Sequence, residues 1–289
     1  MPRAYAAMTT LVTTKLQSAG TADYSVAEVD YQIEETLKEF ALYRPHLVPM
    51  TFKLESRYGT DVTGTADKLT DAVKAQFLTA DATDEKVVHN TTDNTWAVVT
   101  VRDSASVYSI SVDIMDANEK YKIYNKRCWN KKQIYLGDLV DYGEISSVEY
   151  PAGTKRNWML FGDVLELDVE DATIPDSDST LTTLSDVDVL VWFKRPHVLS
   201  QLTDWGGTFA ATAAAAATSI SATALQGSGT IESGEEFWVE NHRTVYVVNA
   251  ATAIASSAAT VTFDPPLESV VASTAWVITF RKSSLEPQD

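Results

Sequence analysis

Two distant stretches of the sequence follow the same pattern of short apolar runs. In the first, residues 85–90 precede residues 95–99, and in the second, residues 236–241 precede residues 244–248. Each pair has the composition of two strands joined by a short turn. Chance agreement between β-rich segments is one explanation, and a duplicated β-module is the other. The second explanation predicts two β-modules that bracket a single core.

That organisation makes the core of the chain discontinuous. We predict the core in residues 1–58 and 128–204, an inserted β-module in 59–127, and a C-terminal β-barrel or sandwich module in 205–289. The predicted fold class is α+β and mainly β, with a small helix-plus-sheet core. The length of 289 residues agrees, because it suffices for about two or three compact units.

Regularly spaced strand patterns fill both modules. In the inserted module we predict strands at 86–89, 95–101, 107–112 and 121–124. In the C-terminal module the predicted strands are 219–225, 237–239, 244–248, 259–263 and 275–280, separated by turns that contain Gly or Pro. The core adds two predicted partner strands at 160–169 and 187–193. The uninterrupted apolar run 189–193 predicts a strand that is buried on both faces.

The strongest helix signal lies between residues 25 and 44. Ser25 and Glu28 form a capping box, in which each side chain satisfies a main-chain amide of the other residue. Glu34 and Lys38 are spaced for an ion pair, and Pro45 ends the helix. One apolar stripe follows the helical period and consists of Val26, Val29, Ile33, Leu37 and Phe40. Both a plain core helix and a helix that also packs against a neighbouring subunit fit this pattern.

The composition excludes several classes of protein. The chain has 40 Asp and Glu against 23 Lys and Arg, a formal charge of −17, so we do not expect a broad basic face for tight nucleic-acid binding. Cys128 is the only cysteine, which excludes a disulfide scaffold and a cysteine-based zinc module. Neither a targeting segment nor an apolar stretch long enough to span a membrane is visible, so we expect a soluble intracellular protein without a membrane partner.

Motifs for catalysis or cofactor binding are missing from the sequence. The four histidines do not pair at helical spacing, and there is no nucleophile elbow or phosphate-binding loop. We therefore expect no enzyme activity, no catalytic residue, no cofactor and no bound metal. The densest carboxylate cluster suits either a solvated acidic loop or a Ca²⁺ site, and it comprises Asp168, Glu170, Asp171, Asp176 and Asp178.

The charges are also separated along the chain. Residues 158–193 contain no Lys or Arg, whereas acids recur from Asp163 to Asp188. Opposite charges on separate faces allow copies of a chain to associate head to tail. We therefore predict contacts between subunits or with partner proteins through Asp168, Glu170 and Asp171 and through a basic run that consists of Lys120, Lys122, Lys126, Arg127, Lys131 and Lys132. Two solvated surfaces are the alternative.

Three short motifs of the predicted core occur in a familiar order. The helix ends in Tyr43-Arg44-Pro45, the segment Ser147-Val148-Glu149-Tyr150-Pro151 follows, and Arg195-Pro196-His197 closes the core. This order resembles the head-to-tail adaptor (connector, neck) proteins of tailed bacteriophages. The segment 214–280, with Gly229-Thr230-Ile231 and Thr244-Val245-Tyr246, looks like the small β-modules that are appended to phage structural proteins.

The resemblance implies a structural virion protein of the neck, which is assembled in the host cytoplasm. It implies a homo-oligomeric ring, commonly a dodecamer, that binds the portal protein and tail or neck proteins while DNA passes through the lumen only as cargo. It implies no catalysis. Members of the family often end in a long helix after the Pro-His element, whereas this chain continues into the Ala-rich segment 213–217 and a β-module. We expect both β-modules to project outward from the ring.

A tail-fibre or carbohydrate-binding β-module protein is the alternative function. The chain has seven tryptophans, which could stack on sugars. Their scatter along the predicted strands favours a role in the core instead. A glycoside hydrolase would need a pair of carboxylates in a cleft, and the sequence singles out no such pair.

Overall fold

The computed structural model describes residues 5–15, 25–139, 142–177, 187–197, 202, 204 and 206–281. The protein is mainly β, as the sequence predicts. Two units are distinguished by their internal contacts. One unit comprises Met1–Thr51, Leu139–Ser146 and Val191–Asp289, and the other comprises Phe52–Asp138 and Ser147–Leu190. The predicted domain boundaries at residues 58, 127 and 204 stay a prediction.

The first unit contains two helices, α1 (Tyr5–Lys15) and α2 (Val26–Tyr43). The predicted capping box is present, since Ser25 accepts from the amide of Glu28 and Glu28 accepts from the amide of Ser25. Val29, Ile33 and Leu37 of α2 are buried as predicted and contact Val12 of α1. A short helix in the second unit, α3 (Ala80–Thr83), and a 3₁₀ turn at Asp171–Thr173 complete the helical structure of the described residues.

Two details of α2 differ from the prediction. Phe40, placed on the buried stripe by its spacing, is exposed. It lies in the last turn of the helix, where its ring contacts the ring of His197. Lys38 pairs with Glu35 at 2.8 Å and not with Glu34, because a residue three positions away also lies on the same side of a helix. The side chain of Val26 lies outside the described residues.

The strands are short and numerous. Those of the first half of the chain are β1 (His46–Lys53), β2 (Tyr58–Thr60), β3 (Lys68–Thr70), β4 (Val87–Asn90), β5 (Thr95–Ser104), β6 (Val107–Ile110), β7 (Lys120–Tyr124) and β8 (Gln133–Tyr135). Next are β9 (Glu144–Glu149), β10 (Lys155–Arg156), β11 (Trp158–Phe161), β12 (Val164–Leu167) and β13 (Asp188–Arg195). The C-terminal strands are β14 (Gly206–Phe209), β15 (Ser219–Thr223), β16 (Ser228–Ile231), β17 (Glu236–Val239), β18 (Val245–Val248), β19 (Thr252–Ala255), β20 (Ala259–Asp264) and β21 (Val277–Phe280).

One sheet has the strand order β1-β13-β9-β10. In β13, Val189, Val191 and Phe193 are buried, whereas Leu190 and Trp192 are partly exposed. The prediction that this strand is buried on both faces is therefore wrong, because only alternate residues point to the core. The boundaries of the two units fall within β1, β9 and β13.

Residues 160–169 do not form the single strand that the sequence predicts. They belong to a hairpin in which β11 pairs with β12, and β12 also pairs with β8. The turn is made by Gly162 and Asp163, and Gly162 has a left-handed backbone with φ of 60°. The predicted partnership with the strand at 187–193 is also wrong, since β13 lies between β1 and β9 in a different sheet.

Two six-stranded structures contain most of the remaining strands. In the second unit, β2 to β7 form an open sheet with the order β2-β7-β4-β5-β6-β3, here called the half-barrel. In the first unit, six strands close into a barrel with the order β14-β15-β20-β18-β17-β21. A separate ribbon pairs β16 with β19. Of the two predicted alternatives for the C-terminal module, a barrel and a sandwich, the structure shows the barrel.

The half-barrel and the barrel have the same topology. Matching β2 to β14, β3 to β15, β4 to β17, β5 to β18, β6 to β20 and β7 to β21 reproduces the strand order of the open sheet. Every antiparallel pair of the half-barrel then has an antiparallel counterpart in the barrel. The ribbon strands β16 and β19 are insertions into this plan. The shared topology supports duplication of one ancestral module.

The cross-strand registers also correspond. Gly59 lies opposite Tyr121 in the half-barrel, and Gly207 lies opposite Ile278 in the barrel. Val88 lies between Ala97 and Ile123, as Phe237 lies between Tyr246 and Phe280. The sequence pattern that aligns residues 85–90 with 236–241 instead matches Val88 with Val239, which is two residues too far along. Sequence similarity alone does not report which residues face each other across a hairpin.

The two modules differ in how their first two strands meet. In the barrel, β14 and β15 pair through Thr208 with Thr223 and Phe209 with Ala222. In the half-barrel, β2 and β3 are the two ends of the sheet, and polar side chains fill the opening between them. Asp61 accepts from the amide of Thr70, and Asp71 accepts from the hydroxyl of Tyr121. Gln76 donates to the carbonyl of Tyr58 and to the hydroxyl oxygen of Tyr121.

A buried ion cluster anchors this opening. The guanidinium of Arg57, which is 0% exposed, donates to both carboxylate oxygens of Glu55 at 2.7 and 3.0 Å and to both of Asp81 at 2.8 Å. It also donates to the carbonyl of Gln76 at 2.8 Å. Burial raises the pKa of Glu55, but the opposing charges of Arg57 and Lys86 outweigh burial and leave that pKa below its ordinary value. Glu55 is therefore ionised in the folded half-barrel.

Arg57→Ala tests the importance of this cluster. Removing the guanidinium leaves two buried carboxylates without their main partner, so we expect a loss of about 3–5 kcal/mol in the free energy of unfolding. Urea denaturation followed by circular dichroism measures it. Lys68→Ala is the matched control, because the Lys68–Asp103 pair of the same sheet is partly exposed and is worth at most about 1 kcal/mol. Equal losses in the two variants would contradict a special role for Arg57.

Candidate functional site

Half of the predicted basic run is engaged within the chain. Lys131 lies 2.7 Å from Asp176, and Lys132 lies 3.2 Å from Asp171. Lys126 lies 3.0 Å from both Glu85 and Asp138. Two of the acidic residues that were assigned to a separate face thus neutralise lysines of the same chain. The sequence did not show this, because the partners are far apart along the chain.

The other predicted contact residues lie on the surface. Lys120 and Lys122 are on β7, and the guanidinium of Arg127 lies 5.4 Å from the ring centre of Tyr135. Asp168 and Glu170 are exposed. Within the described ranges, none of these five residues forms an ion pair. A contact between subunits through these residues stays a prediction, and it depends on the charges that the chain does not pair internally.

The acidic cluster has no geometry for a cation in the described part of the chain. Asp171 and Asp176 are each paired with a lysine, and Asp178 lies outside the described residues. No group of three or more His, Cys, Asp or Glu side chains is arranged to hold a metal ion among the residues that the structure describes. In the described residues, this cluster is a solvated acidic loop whose charge is partly neutralised by lysines. It contains Asp168, Glu170, Asp171 and Asp176.

Cys128 is a core residue. Its side chain is buried in a cluster with Tyr124 and Val164. Burial raises the pKa of its thiol to about 12. The thiol therefore stays protonated at neutral pH, and Cys128 does not provide a nucleophile.

A second buried ion cluster lies in the first unit, around Glu236 at the start of β17. Oxygen Oε2 of Glu236 lies 2.9 Å from Nε2 of His46 and 3.1 Å from Nη1 of Arg281, and Oε1 lies 3.7 Å from Nε of Arg195. Burial raises the pKa of Glu236, but the hydrogen bond with His46 and the charges around the carboxylate outweigh burial and lower the pKa. Glu236 thereby connects β17 of the barrel to β1 and β13.

Several large apolar side chains are exposed on the helix α2. Leu42 and Tyr43 are 80% and 87% exposed, and Tyr31 is also exposed. Tyr31 and Leu42 are about three helical turns apart, so they lie on the same side of the helix. That side is opposite the buried Val29 and Ile33, because Tyr31 is two residues from each of them. The helical spacing of Tyr31 and Leu42 in the sequence contained this signal.

A second exposed apolar surface is formed by the hairpin β11–β12. Met159, Leu160 and Phe161 are consecutive and are 49%, 44% and 48% exposed. The ring of Phe161 contacts the ring of Trp129, which is also exposed, at 6.3 Å between centres. Monomeric proteins rarely leave such contiguous patches uncovered, so they indicate protein interaction sites. The sequence predicts a strand that begins at residue 160, but it does not predict that these side chains are exposed.

Most of the described tryptophans are not core residues, contrary to the prediction, although Trp276 packs against the core of the barrel. Among the six described tryptophans, none is fully buried, and Trp96, Trp129 and Trp238 are exposed. Trp96 stacks on His89 of the neighbouring strand, with ring centres 3.8 Å apart, on the outer face of the half-barrel. Trp205 lies outside the described residues. The strand positions of these residues were largely predicted, but not the face to which they point.

Comparisons with known proteins do not assign a family. No family model matches this chain, and neither a curated protein nor a solved structure matches it. No helix in the described part of the chain is long and apolar enough to cross a membrane.

The Glu236 cluster predicts a pH dependence of stability. A carboxyl group whose pKa is lowered by folding contributes stability above its unfolded value, 4.5, and that contribution is lost as the pH falls through the folded value. Glu236→Gln should therefore destabilise the protein at neutral pH, by about 3–5 kcal/mol, and lose less stability on acidification than the wild type.

Chemical denaturation at a series of pH values between neutral and acidic measures this effect. Glu240→Gln is the matched control, because Glu240 is exposed on the segment after the same strand. The control should follow the wild type across the pH series. An unchanged acid limb in Glu236→Gln would contradict the assignment.

Proposed function

We propose that this protein is a structural virion protein of the head-to-tail adaptor kind, which forms a ring between portal and tail and conducts DNA. The observation that carries the proposal is the exposed apolar side chains of α2, namely Tyr31 and Leu42 on its outer side and Tyr43 at its last residue. A surface of this kind serves a protein partner. The class of assembly rests on the resemblance of the motifs at 43–45, 147–151 and 195–197 to adaptor proteins.

The motif residues have structural roles that fit an adaptor core. Nε2 of His197 donates to the carbonyl of Arg44 at 2.7 Å, at the end of α2. Arg195 is buried beside Glu236. In the second unit, Arg156 donates to the carbonyl of Tyr150, which precedes Pro151. These contacts support a structural role for the three motifs, and the adaptor proposal assigns ring formation to α2 and the β1-β13-β9-β10 sheet.

The charge of the chain supports a conduit and not a DNA-binding protein. A formal charge of −17 repels the phosphates of DNA, so packaged DNA could slide past the ring without being held. The adaptor needs affinity for proteins only. The portal, tail or neck proteins and further copies of this chain are its proposed partners, and it needs no cofactor or catalytic residue.

Leu42→Glu tests the proposed role of the α2 surface. We expect the wild type to form a ring-sized complex when mixed with the portal protein of the same particle, and Leu42→Glu to weaken that complex at least tenfold, because a charge would be buried in an apolar contact. Light scattering after gel filtration measures the mass of the complex. Val73→Glu is the matched control, because Val73 is 84% exposed on a loop of the second unit.

The wild type must gain mass on the portal for the adaptor proposal to hold. A chain that never associates with portal, tail or neck proteins is not an adaptor. If Leu42→Glu binds as tightly as Val73→Glu, the adaptor uses another surface and α2 does not carry the contact.

A carbohydrate-binding or tail-fibre role is the second candidate, and one observation favours it. On the outer face of the half-barrel, the cross-strand row Tyr58, Lys122, His89 and Trp96 places aromatic rings beside a cation. Flat exposed aromatic rings are suited to stacking on sugars. A glycan array probed with the wild type and with Trp96→Ala distinguishes this role. Glycan binding that disappears in Trp96→Ala, without any portal complex, would favour the second candidate.

A further inference from the structure

Lys86 and Asn125 meet at one end of the half-barrel. Strands β4 and β7 pair with Val87 opposite Tyr124, so the next position along the ladder places Lys86 opposite Asn125. Nζ of Lys86 donates to Oδ1 of Asn125 at 2.7 Å. Because Oδ1 is bonded to the carboxamide carbon Cγ, the amine nitrogen lies at most about 4 Å from that carbon. An amine and a carboxamide carbon are thus held close to reaction distance.

Both side chains of this pair point into the half-barrel. Lys86 and Asn125 lie two residues from Val88 and Ile123, which belong to the core, and alternate residues of a strand share a face. The side chain of Lys86 is 14% exposed, and that of Asn125 is partly buried. The pair is therefore largely screened from bulk water, which would otherwise compete with the amine for the carboxamide carbon.

The carboxamide of Asn125 is fixed in orientation. Its nitrogen Nδ2 donates to the carbonyl of Lys53 at 3.0 Å and to the carbonyl of Gln133 at 3.1 Å. These two bonds use both hydrogens of the amide nitrogen. Rotation of the group would break both of them, so the carbonyl side of Asn125 stays turned towards Lys86.

A buried carboxylate lies beside the amine. Oε2 of Glu55 is 3.6 Å from Nζ of Lys86, and Glu55 is kept ionised by Arg57. An ionised carboxylate can act as a base towards a nitrogen that becomes cationic when it attacks a carbonyl carbon. The amine, the carboxamide and the base that an amide-forming reaction requires are therefore together in one buried site.

We propose that Lys86 and Asn125 become joined by an isopeptide bond, in a reaction that the folded chain carries out on itself. After its ammonium proton has passed to solvent, Nζ attacks Cγ of Asn125 with its lone pair and forms a tetrahedral intermediate. Glu55 takes one proton from the now cationic Nζ and passes it to Nδ2. The Cγ–Nδ2 bond then breaks, ammonia leaves and the carbonyl forms again. One carbon–nitrogen bond replaces another, so the reaction balances without a further reactant.

The matching position of the barrel carries a different residue. The cross-strand registers match Val88 with Phe237, so Lys86 corresponds to Glu235, which has no amine. The bond would therefore be a property of the half-barrel, where it ties β4 to β7, the strand that also pairs with the end strand β2. The reaction takes place within one chain, so the proposal does not depend on the adaptor function.

The mass of the intact full-length protein tests the bond. We expect the folded wild type to be lighter than its sequence by one ammonia. Trypsin should release residues 75–102 joined to residues 123–126, because it does not cleave after a lysine whose amine is part of an amide. Lys86→Arg should keep the full mass, since a guanidinium stays protonated and does not attack a carboxamide.

Lys68→Arg is the matched control for Lys86→Arg. It makes the same substitution in the same module, at a lysine that also lies beside a carboxylate, 2.9 Å from Asp103. This variant should lose one ammonia as the wild type does. Circular dichroism verifies that both variants are folded.

Two further variants separate the roles within the site. Asn125→Ala lacks the reacting carbon and should keep the full mass. Glu55→Gln keeps the shape of the side chain but removes the base, so we expect the bond to form at least about a hundredfold more slowly. Mass spectrometry of samples taken during cell-free synthesis and quenched in acid measures the rate. If either variant does not fold, Lys86→Arg decides alone.

Three results would overturn the proposal. The first is a folded wild type that keeps its full mass after prolonged incubation. The second is a loss of ammonia that persists in folded Lys86→Arg. The third is a loss of ammonia that maps to Asn125 in a single peptide without a link to Lys86, because an asparagine can also lose ammonia by cyclising on its own main chain. Each of these results would leave Lys86 and Asn125 joined by a hydrogen bond only.

Discussion

The ion cluster of Arg57, Glu55 and Asp81 is the constraint on which the half-barrel depends. Three charged side chains are held away from water, so the folded state requires all of them at hydrogen-bonding distance. Asp81 belongs to the short helix α3, and Arg57 directly precedes β2. The cluster therefore fixes the segment between β3 and β4 against the start of β2. At the corresponding place in the barrel, β14 and β15 pair through their main chains.

The parts of the fold that follow from local patterns were predictable. Helix α2 followed from its capping box and its spacing of apolar residues, and the longer strands of both modules followed from their β-branched residues. Strands β2, β3 and β14 were missed because each has three or four residues and two of them contain glycine. The hairpin at β11 was missed because one glycine, Gly162, reverses a run that otherwise resembles a single strand.

Surfaces were harder to predict than elements. The basic run and the acidic segment were separated in sequence, but folding brings Lys131 to Asp176 and Lys132 to Asp171. Sequence reports the sign of a charge and not its distance from another charge in space. The exposed apolar residues of α2 and β11 were not predicted for a related reason, since an apolar residue has the same chemical identity on a surface as in a core.

The different closures of the two modules have a consequence for how each can evolve. Main-chain hydrogen bonds between β14 and β15 are indifferent to the side chains that flank them, so substitutions there preserve the closed barrel as long as the strands persist. At the opening of the half-barrel only one main-chain bond, from Val62 to Thr70, joins the two ends, and the other contacts need the side chains of Asp61, Asp71 and Gln76. In relatives of this protein, these three positions should therefore diverge slowly, while their counterparts in the barrel drift freely.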